Sequence, residues 1–467
     1  AGLTREEKAM EQAKEYSFLS HDRNFYRTLI GLVAFVALQN VIGYTVNMAD
    51  NMMLGRYSQE ALSGAATVNQ IFFLIQQFGV SVANALVALS GQYWGEGRKK
   101  PIRILSGYAL RLSAYIGIGI IVGGMLFPSQ ICSVFTADPV IIEQGRQYMV
   151  IVCWSFGIFC ITSTLYAALR AVGIVKIAFY VSIVSVIVNC SINYCLIFGK
   201  FGLPELGIRG AAIGTLITRI LEFIIVFIYC VKDKQIALIQ KELFMKDRGL
   251  RQDFTRMYVP IFFSTVVWAV SIPIQTAILG HISSDALAAN NIASTFYQYA
   301  KVVTFAMSSC SGVMIANAIG KGDRELVKQE GRTLSVIDVF LGIALAALLF
   351  FLRKPLLSLY TLTPAALALA DSLIILQAVI MLGMAYQMPV SFGVIQGGGD
   401  AGFVVKMNSI CTWCIVIPLT FMGAYWWHVP IVLLVLIIQS DQLFKCLPVF
   451  IRFRKYTWIK KLTRDGV

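Results

Sequence analysis

The sequence predicts an all-α polytopic membrane protein with twelve transmembrane helices arranged as two six-helix lobes. Two observations predict it: twelve apolar stretches long enough to cross a bilayer, and an internal repeat that relates the first six stretches to the last six. Six is an even number, so both copies enter the membrane in the same orientation. The lobes are therefore expected to be related by a pseudo-two-fold axis along the membrane normal.

The composition is that of a membrane protein. Of the 467 residues, 57% are hydrophobic and 14% are charged, and the mean hydropathy is +0.72. Soluble domains carry about 25% charged residues. Stretches of about 20 apolar residues, the length that crosses the hydrocarbon layer, begin near residues 29, 64, 104, 147, 177, 210, 257, 287, 333, 366, 404 and 429.

The net charge of +14 follows the pattern of membrane proteins and not that of nucleic-acid-binding proteins. If the amino terminus is cytoplasmic, the cytoplasmic segments contain 30 of the 39 Lys and Arg residues, and the outer loops contain five. This bias is the positive-inside rule, and it predicts a multi-pass protein of the plasma (inner) membrane with both termini in the cytoplasm. The lipid bilayer is therefore an expected partner, and nucleic acid is not.

The internal repeat defines the predicted domains. The sequence LGRYSQEALS at 54–63 returns as LGHISSDALA at 279–288, and GQYWGEGR at 91–98 returns as ANAIGKGD at 316–323, both 225 residues later. LRAVGIVK at 169–176 corresponds to IQGGGDAG at 395–402 with a slip of one residue. The predicted segments are a cytoplasmic arm (1–28), an N-lobe (29–231), a cytoplasmic linker that needs no fold of its own (232–256), a C-lobe (257–451) and a basic cytoplasmic tail (452–467).

A single carboxylate distinguishes the two copies at the end of the first span. At the repeat offset Asp50 corresponds to Gln275, so only the N-lobe has an acid here. A carboxylate at a helix centre costs roughly 2.5–3.5 kcal/mol on insertion scales, which makes Asp50 a functional candidate. Asn47 precedes it by three residues, on the same helical face. The alternative is that Asp50 only reaches interfacial water at the outer end of its span.

Polar residues on the fifth and sixth spans complete a candidate cation site. Ser182, Ser185, Asn189 and Asn193 form a stripe at helical spacing, and Thr215 lies on the sixth span. Oxygen atoms converging from three helices could hold Na+ or share a proton, although hydrogen bonding between helices would also select Asn and Ser. The predicted cation-coupling set is Asp50, Asn47, Asn189, Asn193 and Thr215. The coupling ion is Na+ or H+, with no cofactor and no metal beyond a possible Na+ at Asp50.

The eighth span carries an unexpected cation, Lys301, near its middle. With Tyr297, Thr304, Ser308 and Ser311 it forms a stripe that predicts a helix facing a wet cavity. Lys301 could contact zwitterionic or anionic cargo, or it could snorkel or pair with a neighbouring carboxylate. Its repeat counterpart is Gln76, which shares a face with Asn69. The predicted substrate-cavity residues are Asn69, Gln76, Trp268, Gln275, Tyr297 and Lys301.

The other charges in or beside spans are predicted to be structural. Arg219 and Glu222 are three residues apart, and Asp441 and Lys445 are four apart, so each pair can form a salt bridge on one helix face. Five further charged residues are expected toward span ends: Arg111, Glu143, Arg146, Asp338 and Asp371.

Several motifs together resemble the multidrug and toxic compound extrusion (MATE) family. They are DNMMLGRYSQEALSG at 50–64, GQYWGEGR, LRAVG, GIRGAAIGTLITR at 207–219, GGGDAG at 397–402, and the ending from Asp441 and Lys445 to RFRKYTW at 452–458. The resemblance covers nearly the whole chain. It implies two bundles that form a V-shaped cavity and work by cation-driven alternating access.

The resemblance is closer to the DinF-like branch of that family than to the NorM-like branch. Asp50 matches the coupling acid that the DinF-like branch carries on its first span. Asn189 and Asn193 fall where that branch has a polar pair, although some members have a second carboxylate at the position of Asn193. The NorM-like branch has an acid on the seventh span, and this chain has none there.

The predicted function is a monomeric secondary antiporter that exports small organic compounds, either drugs and toxins or metabolites, in exchange for Na+ or H+. One alternative is a flippase for lipid-linked precursors from the wider superfamily, which twelve spans and a single central lysine argue against. Another is an exporter of a zwitterionic or anionic metabolite that uses Lys301. A remote alternative is a membrane sensor or enzyme. The chain contains no P-loop and no GxSxG, and His21, His281 and His428 are unclustered, so we do not expect enzyme chemistry.

Overall fold

The computed structural model describes residues 17–280, 284–358 and 364–464 of the chain. Within these ranges, twelve helices are long and apolar enough to cross a membrane. This confirms the predicted all-α fold with twelve transmembrane helices. Most of the predicted arm (1–16), the end of the tail (465–467) and part of the repeat LGHISSDALA, including His281, lie outside the described residues.

The first six helices are α1 (Arg23–Tyr57), α2 (Gln59–Gly95), α3 (Lys99–Leu126), α4 (Pro139–Ala171), α5 (Lys176–Phe198) and α6 (Ile208–Lys232). The second six are α7 (Arg248–Gly280), α8 (Ser284–Gly320), α9 (Arg324–Leu357), α10 (Pro364–Met388, continued by the π-helical stretch Pro389–Ile395), α11 (Ala401–Tyr425) and α12 (Ile431–Arg454). Shorter helices connect α3 to α4 (Pro128–Ser133) and α6 to α7 (Lys241–Phe244).

Polar caps set where several helices begin. Ser58 is the only residue between α1 and α2, and its hydroxyl oxygen accepts a hydrogen bond from the Ala61 amide at 3.0 Å. Asp138 and Asp323 cap α4 and α9 in the same way. Such side chains satisfy amide groups that have no partner within the first turn of a helix. The connections before α2 and α9 can therefore be short, which keeps each of these helices beside the one before it.

The two lobes meet where α2 crosses α8, and the residues that touch there are repeat counterparts. A Cβ atom built on Gly91 would lie 2.7 Å from the Cβ of Ala316. One built on Gly95 would lie 2.9 Å from the Cα of Gly320. Both pairs are 225 residues apart, so the repeat axis passes between these two helices. We call this end of the bundle the closed face.

The last described residues cross the closed face as a C-terminal strap (residues 458–464). On the N-lobe side, the Gln92 side chain donates to the Lys460 carbonyl at 3.1 Å and accepts from the Leu462 amide at 2.8 Å. On the C-lobe side, the Lys460 ammonium lies 2.6 Å from the Asp400 carboxylate. The strap therefore joins the two lobes at the face where their helices touch.

The predicted linker (232–256) packs against α3 and has local structure, contrary to the expectation that it needs no fold of its own. Arg103 donates from Nε and Nη2 to the Ile236 carbonyl at 3.1 and 2.9 Å. Ile236 and Leu243 are buried. The predicted linker is also too long, because α7 begins at Arg248 and only the residues before it form a connection that is fixed to the N-lobe.

We predict that the Gly95→Ala substitution lowers the midpoint of thermal unfolding in detergent. The added methyl group would collide with the backbone of α8, and overpacking of this kind costs about 1–3 kcal/mol. Gly119→Ala on α3 is the matched control, because a Cβ there would meet no atom within 4 Å. Equal unfolding midpoints for the two variants would contradict the contact between the lobes.

Candidate functional site

Asp50 on α1 is hydrogen bonded to α5. The Asn193 side-chain amide donates to Asp50 Oδ1 at 2.6 Å and to Asn189 Oδ1 at 3.2 Å. Asn189 and Asn193 are one helical turn apart on α5 and are only 1% and 0% exposed. The structure therefore brings together three of the five residues predicted for cation coupling.

The other two predicted coupling residues do not bond to Asp50. Asn47, one turn before Asp50 on α1, is exposed and lines the cleft described below. The Thr215 hydroxyl donates to the Ala211 carbonyl of its own helix at 3.0 Å. The fifth-span stripe extends to Ser185, which is buried and whose hydroxyl oxygen has no partner among the described residues. The amide side chains of α5 are thus the groups that hold the acid.

Two residues near Asp50 were not predicted to be part of its site. Tyr148 on α4 is buried, and its hydroxyl lies beside Thr215 and close enough to Asp50 to interact electrostatically. A single aromatic residue in an apolar span gives no sequence signal of such a role. Arg219 also acts electrostatically on Asp50, and it pairs with Glu222 at 2.7 Å. The predicted ion pair is confirmed, and it belongs to the surroundings of the acid.

The carboxylate and amide oxygens of this site are of the kind that bind Na+ or share a proton. Asn193 Oδ1 has no hydrogen-bond donor among the described residues, so it is available as an oxygen ligand. Its position depends on Gly214 of α6, because a Cβ atom there would collide with Asn193 Oδ1. The third glycine of the motif GIRGAAIGTLITR, Gly214, thus makes room for the amide that binds Asp50.

A cleft of about 420 Å³ lies between α1, α2 and α8, at the end of the bundle opposite the closed face. It is lined by Tyr44, Asn47, Met48, Asn51, Met52, Leu62, Thr295, Gln298 and Tyr299. Met48, Asn51 and Asp50 belong to the same turn of α1, so the cleft and the carboxylate site share a helix. Methionine and tyrosine side chains give such a cleft an adaptable apolar wall with a few polar groups.

None of the six residues predicted for the substrate cavity lines this cleft. Asn69 is exposed on α2, and Gln76 and Gln275 are half-buried. The ring of Trp268 lies 6.2 Å from that of Phe73, in a contact between α7 and α2. From α8 the cleft is lined by Thr295, Gln298 and Tyr299, which lie closer to the start of that helix than Lys301 does.

The predicted wet stripe on α8 is wrong at Tyr297 and Thr304, because these two hydroxyl groups pack against α10. The Tyr297 hydroxyl donates to the Met384 sulfur at 3.1 Å, and the Thr304 hydroxyl donates to the Met381 sulfur at 3.9 Å. Both residues are buried. Weak acceptors on a neighbouring helix therefore replace the water that the stripe predicted.

Lys301 is half-buried, and its ammonium lies 5.2 Å from the centroid of the Tyr297 ring. In the part of the chain that the structure describes, no carboxylate forms a salt bridge with Lys301. Asp441 is the carboxylate that acts on it electrostatically, but Asp441 is itself paired with Lys445 at 2.6 Å. Lys301 thus remains a cation within the membrane whose charge is only partly balanced.

The remaining charged residues divide into confirmed and incorrect predictions. Asp441 and Lys445 form the predicted pair and are both buried. Asp371 pairs with Arg353 at 3.1 Å between α9 and α10. Asp338, expected toward a span end, lies in the middle of α9. It is fully buried, and neither carboxylate oxygen has a hydrogen-bond partner among the described residues.

Two repeat-related six-helix lobes with a cleft between them are the architecture of secondary transporters that work by moving one lobe against the other. The chain belongs to the MatE family: the family model matches residues 36–195 and 260–422, once in each lobe. This confirms the resemblance to MATE transporters, and the protein is a transporter of that family. Its assignment to the DinF-like branch stays a prediction.

Relatives and solved structures cover almost the full length of the chain. The probable multidrug resistance protein NorM of Thermotoga maritima is 22% identical over 445 residues, which are 94% of this chain and 95% of that protein. The protein of the same name from Rhizobium meliloti is 26% identical over 417 residues, 85% of this chain and 87% of that protein.

A MOP superfamily transporter from Pyrococcus furiosus has a TM-score of 0.85 at 15% identity, over 96% of this chain and 99% of that one. The Vibrio cholerae MATE transporter VcmN, in its bent form, has a TM-score of 0.83 at 16% identity, over 92% of this chain and 97% of that one. At these identities the two structures establish the shared fold.

We predict that Gly214→Ala and Asn193→Ala are not additive in a double-mutant cycle of thermal stability. The new methyl group should destabilise the protein by about 1–3 kcal/mol when Asn193 is present and by less when it is absent. Gly31→Ala serves as the control, since a Cβ there meets no atom within 4 Å. Strict additivity would show that Gly214 does not act through Asn193.

Proposed function

We propose that this protein exports small organic compounds in exchange for Na+ or H+ by alternating access, with Asp50 as the coupling residue. The observation that carries this proposal is the 2.6 Å hydrogen bond from Asn193 to Asp50, on the same turn of α1 that lines the cleft. The relatives named as probable multidrug resistance proteins support export of several compounds. We further propose that the protein works as a monomer in the plasma membrane.

Coupling follows from the high cost of an ionised carboxylate at membrane depth. A cation that binds Asp50 and the free oxygen of Asn193, or a proton that neutralises Asp50, weakens the attraction between the acid and the Asn193 amide. α1 is then less tightly held to α5. Because Met48 and Asn51 line the cleft from this helix, a shift of α1 changes the surface that cargo meets. Cation binding and cargo binding therefore oppose each other.

The sidedness of the cleft fits export. The positive-inside rule predicts that the chain ends lie in the cytoplasm. The C-terminal strap lies on the closed face, and the cleft lies at the opposite end. With this orientation the cleft opens to the outside, from which exported cargo is released. Loading then requires the lobes to separate at the closed face.

We predict that Asp50→Asn abolishes cation-driven export by the protein in proteoliposomes. The amide cannot be ionised and binds Na+ less strongly than a carboxylate, so flux under either a sodium or a proton gradient should fall at least about tenfold, which corresponds to 1.4 kcal/mol. Comparing the two gradients in the wild type identifies the coupling ion. Asp371→Asn, which removes a carboxylate from the C-lobe pair with Arg353, should keep its coupling. Undiminished coupled export by Asp50→Asn would end the proposal.

A second candidate function is the export of zwitterionic or anionic metabolites, and the incompletely balanced charge of Lys301 favours it. We predict that Lys301→Met lowers the transport of zwitterionic and anionic compounds about tenfold, while cationic compounds are still exported. The measurement is a panel of cargoes of each charge in the same vesicles. Lys354→Met removes an exposed lysine near the end of α9 and is the control. Identical cargo profiles for Lys301→Met and the wild type would exclude a role in selecting cargo.

A further inference from the structure

A second, smaller cavity of about 30 Å³ lies between the lobes, bounded by α2, α4, α8 and the π-helical end of α10. Three pairs of its lining residues occupy equivalent repeat positions: Asn84 and Ser309, Val87 and Gly312, Arg170 and Gln396. Equivalent residues of two lobes meet only on the axis that relates them. This axial cavity therefore lies on the pseudo-two-fold axis, two helical turns along α2 from the contact of Gly91 with Ala316.

The two walls of the axial cavity differ in charge, although the repeat relates them. Arg170 is the only ionisable group among its lining residues, and the equivalent residue of the C-lobe is the neutral Gln396. Among the described residues no carboxylate pairs with Arg170, and its Nε has no hydrogen-bond acceptor. An unpaired guanidinium between two packed lobes is costly unless a counter-charge is close.

The other polar groups around Arg170 supply hydrogen-bond donors and no negative charge. Gln396 is 4% exposed and Ser308 is 6% exposed, and both line the cavity. The side chains of Asn84, Ser308, Ser309 and Gln396 make no hydrogen bond with the residues that the structure describes. Amide and hydroxyl donors that surround a guanidinium, without a carboxylate, form the surroundings that an anion requires.

We propose that the axial cavity binds a small inorganic monoanion, with chloride as the test case. The cavity has room for one or two water-sized particles, so it excludes organic cargo. The anion balances Arg170 and accepts hydrogen bonds from the side chains of both lobes. Because α2 and α4 supply one wall and α8 and α10 the other, separating the lobes takes the site apart. Chloride binding therefore stabilises the conformation in which α2 and α8 are in contact at the closed face.

The test measures thermal unfolding of the purified full-length chain in detergent, in sodium chloride and in sodium gluconate at equal ionic strength. Gluconate is too large for the cavity. For the wild type we expect a midpoint at least about 2 °C higher in chloride, with a response that saturates as chloride replaces gluconate. Equal midpoints in the two salts would overturn the proposal.

Two substitutions at the axis separate a specific site from a general salt effect. Arg170→Gln gives both lobes the same neutral residue and should remove the difference between the salts. Gln396→Glu places a carboxylate opposite Arg170, and should also remove it while keeping the midpoint in gluconate at or above that of the wild type. Arg353→Gln, which removes an arginine far from the axis, should keep the chloride response.

Having two axial variants keeps the test decisive even if one of them does not fold. If Arg170→Gln fails to fold, the response of Gln396→Glu still decides the question, since the arginine is intact there. A full chloride response in Gln396→Glu, or in folded Arg170→Gln, would show that the anion acts elsewhere and would overturn the proposal.

Discussion

The close approach of α2 and α8 is the constraint on which the rest of the structure depends. Gly95 and Gly320 allow two helix backbones to meet at the repeat axis, where any larger side chain would hold them apart. This contact brings Gln92 within reach of the C-terminal strap, and it sets the distance between the walls of the axial cavity. It also leaves the far ends of the same helices separated by the cleft. The contact between α2 and α8 thus determines the position of both the closed face and the cleft.

The duplication repeats the helices but not their charges. Asp50, Lys301 and Arg170 each lie at a position whose counterpart in the other lobe is a glutamine: Gln275, Gln76 and Gln396. Glutamine keeps a polar group at each position without the energetic cost of a charge within the membrane. In the proposed mechanism the symmetric scaffold supplies the motion, and the charges without a charged counterpart in the other lobe supply the specificity.

The sequence predicts those features that depend on local spacing or on hydrophobicity. The twelve spans follow from apolar length, and the pairs Arg219–Glu222 and Asp441–Lys445 follow from one turn of helix. The spacing of polar residues along a helix cannot predict which groups will form hydrogen bonds with them. On α5 the amide of Asn193 binds a carboxylate 143 residues away, whereas on α8 the hydroxyl of Tyr297 binds a methionine sulfur. Tyr148 gives no signal in the sequence because its role depends only on which helices are neighbours.

The C-terminal strap also has a consequence for biosynthesis. Its partners at the end of α2, Gln92 and Glu96, are synthesised early. Thr463, the strap residue that bonds to Glu96, follows 367 residues later. At about 5–20 residues per second, roughly 20–70 s pass between the synthesis of the two. During that time Glu96 and Gln92 face the aqueous side of the newly inserted N-lobe without their final partners. The closed face can be completed only after the strap itself has been made, so the two lobes are joined after α12 has entered the membrane.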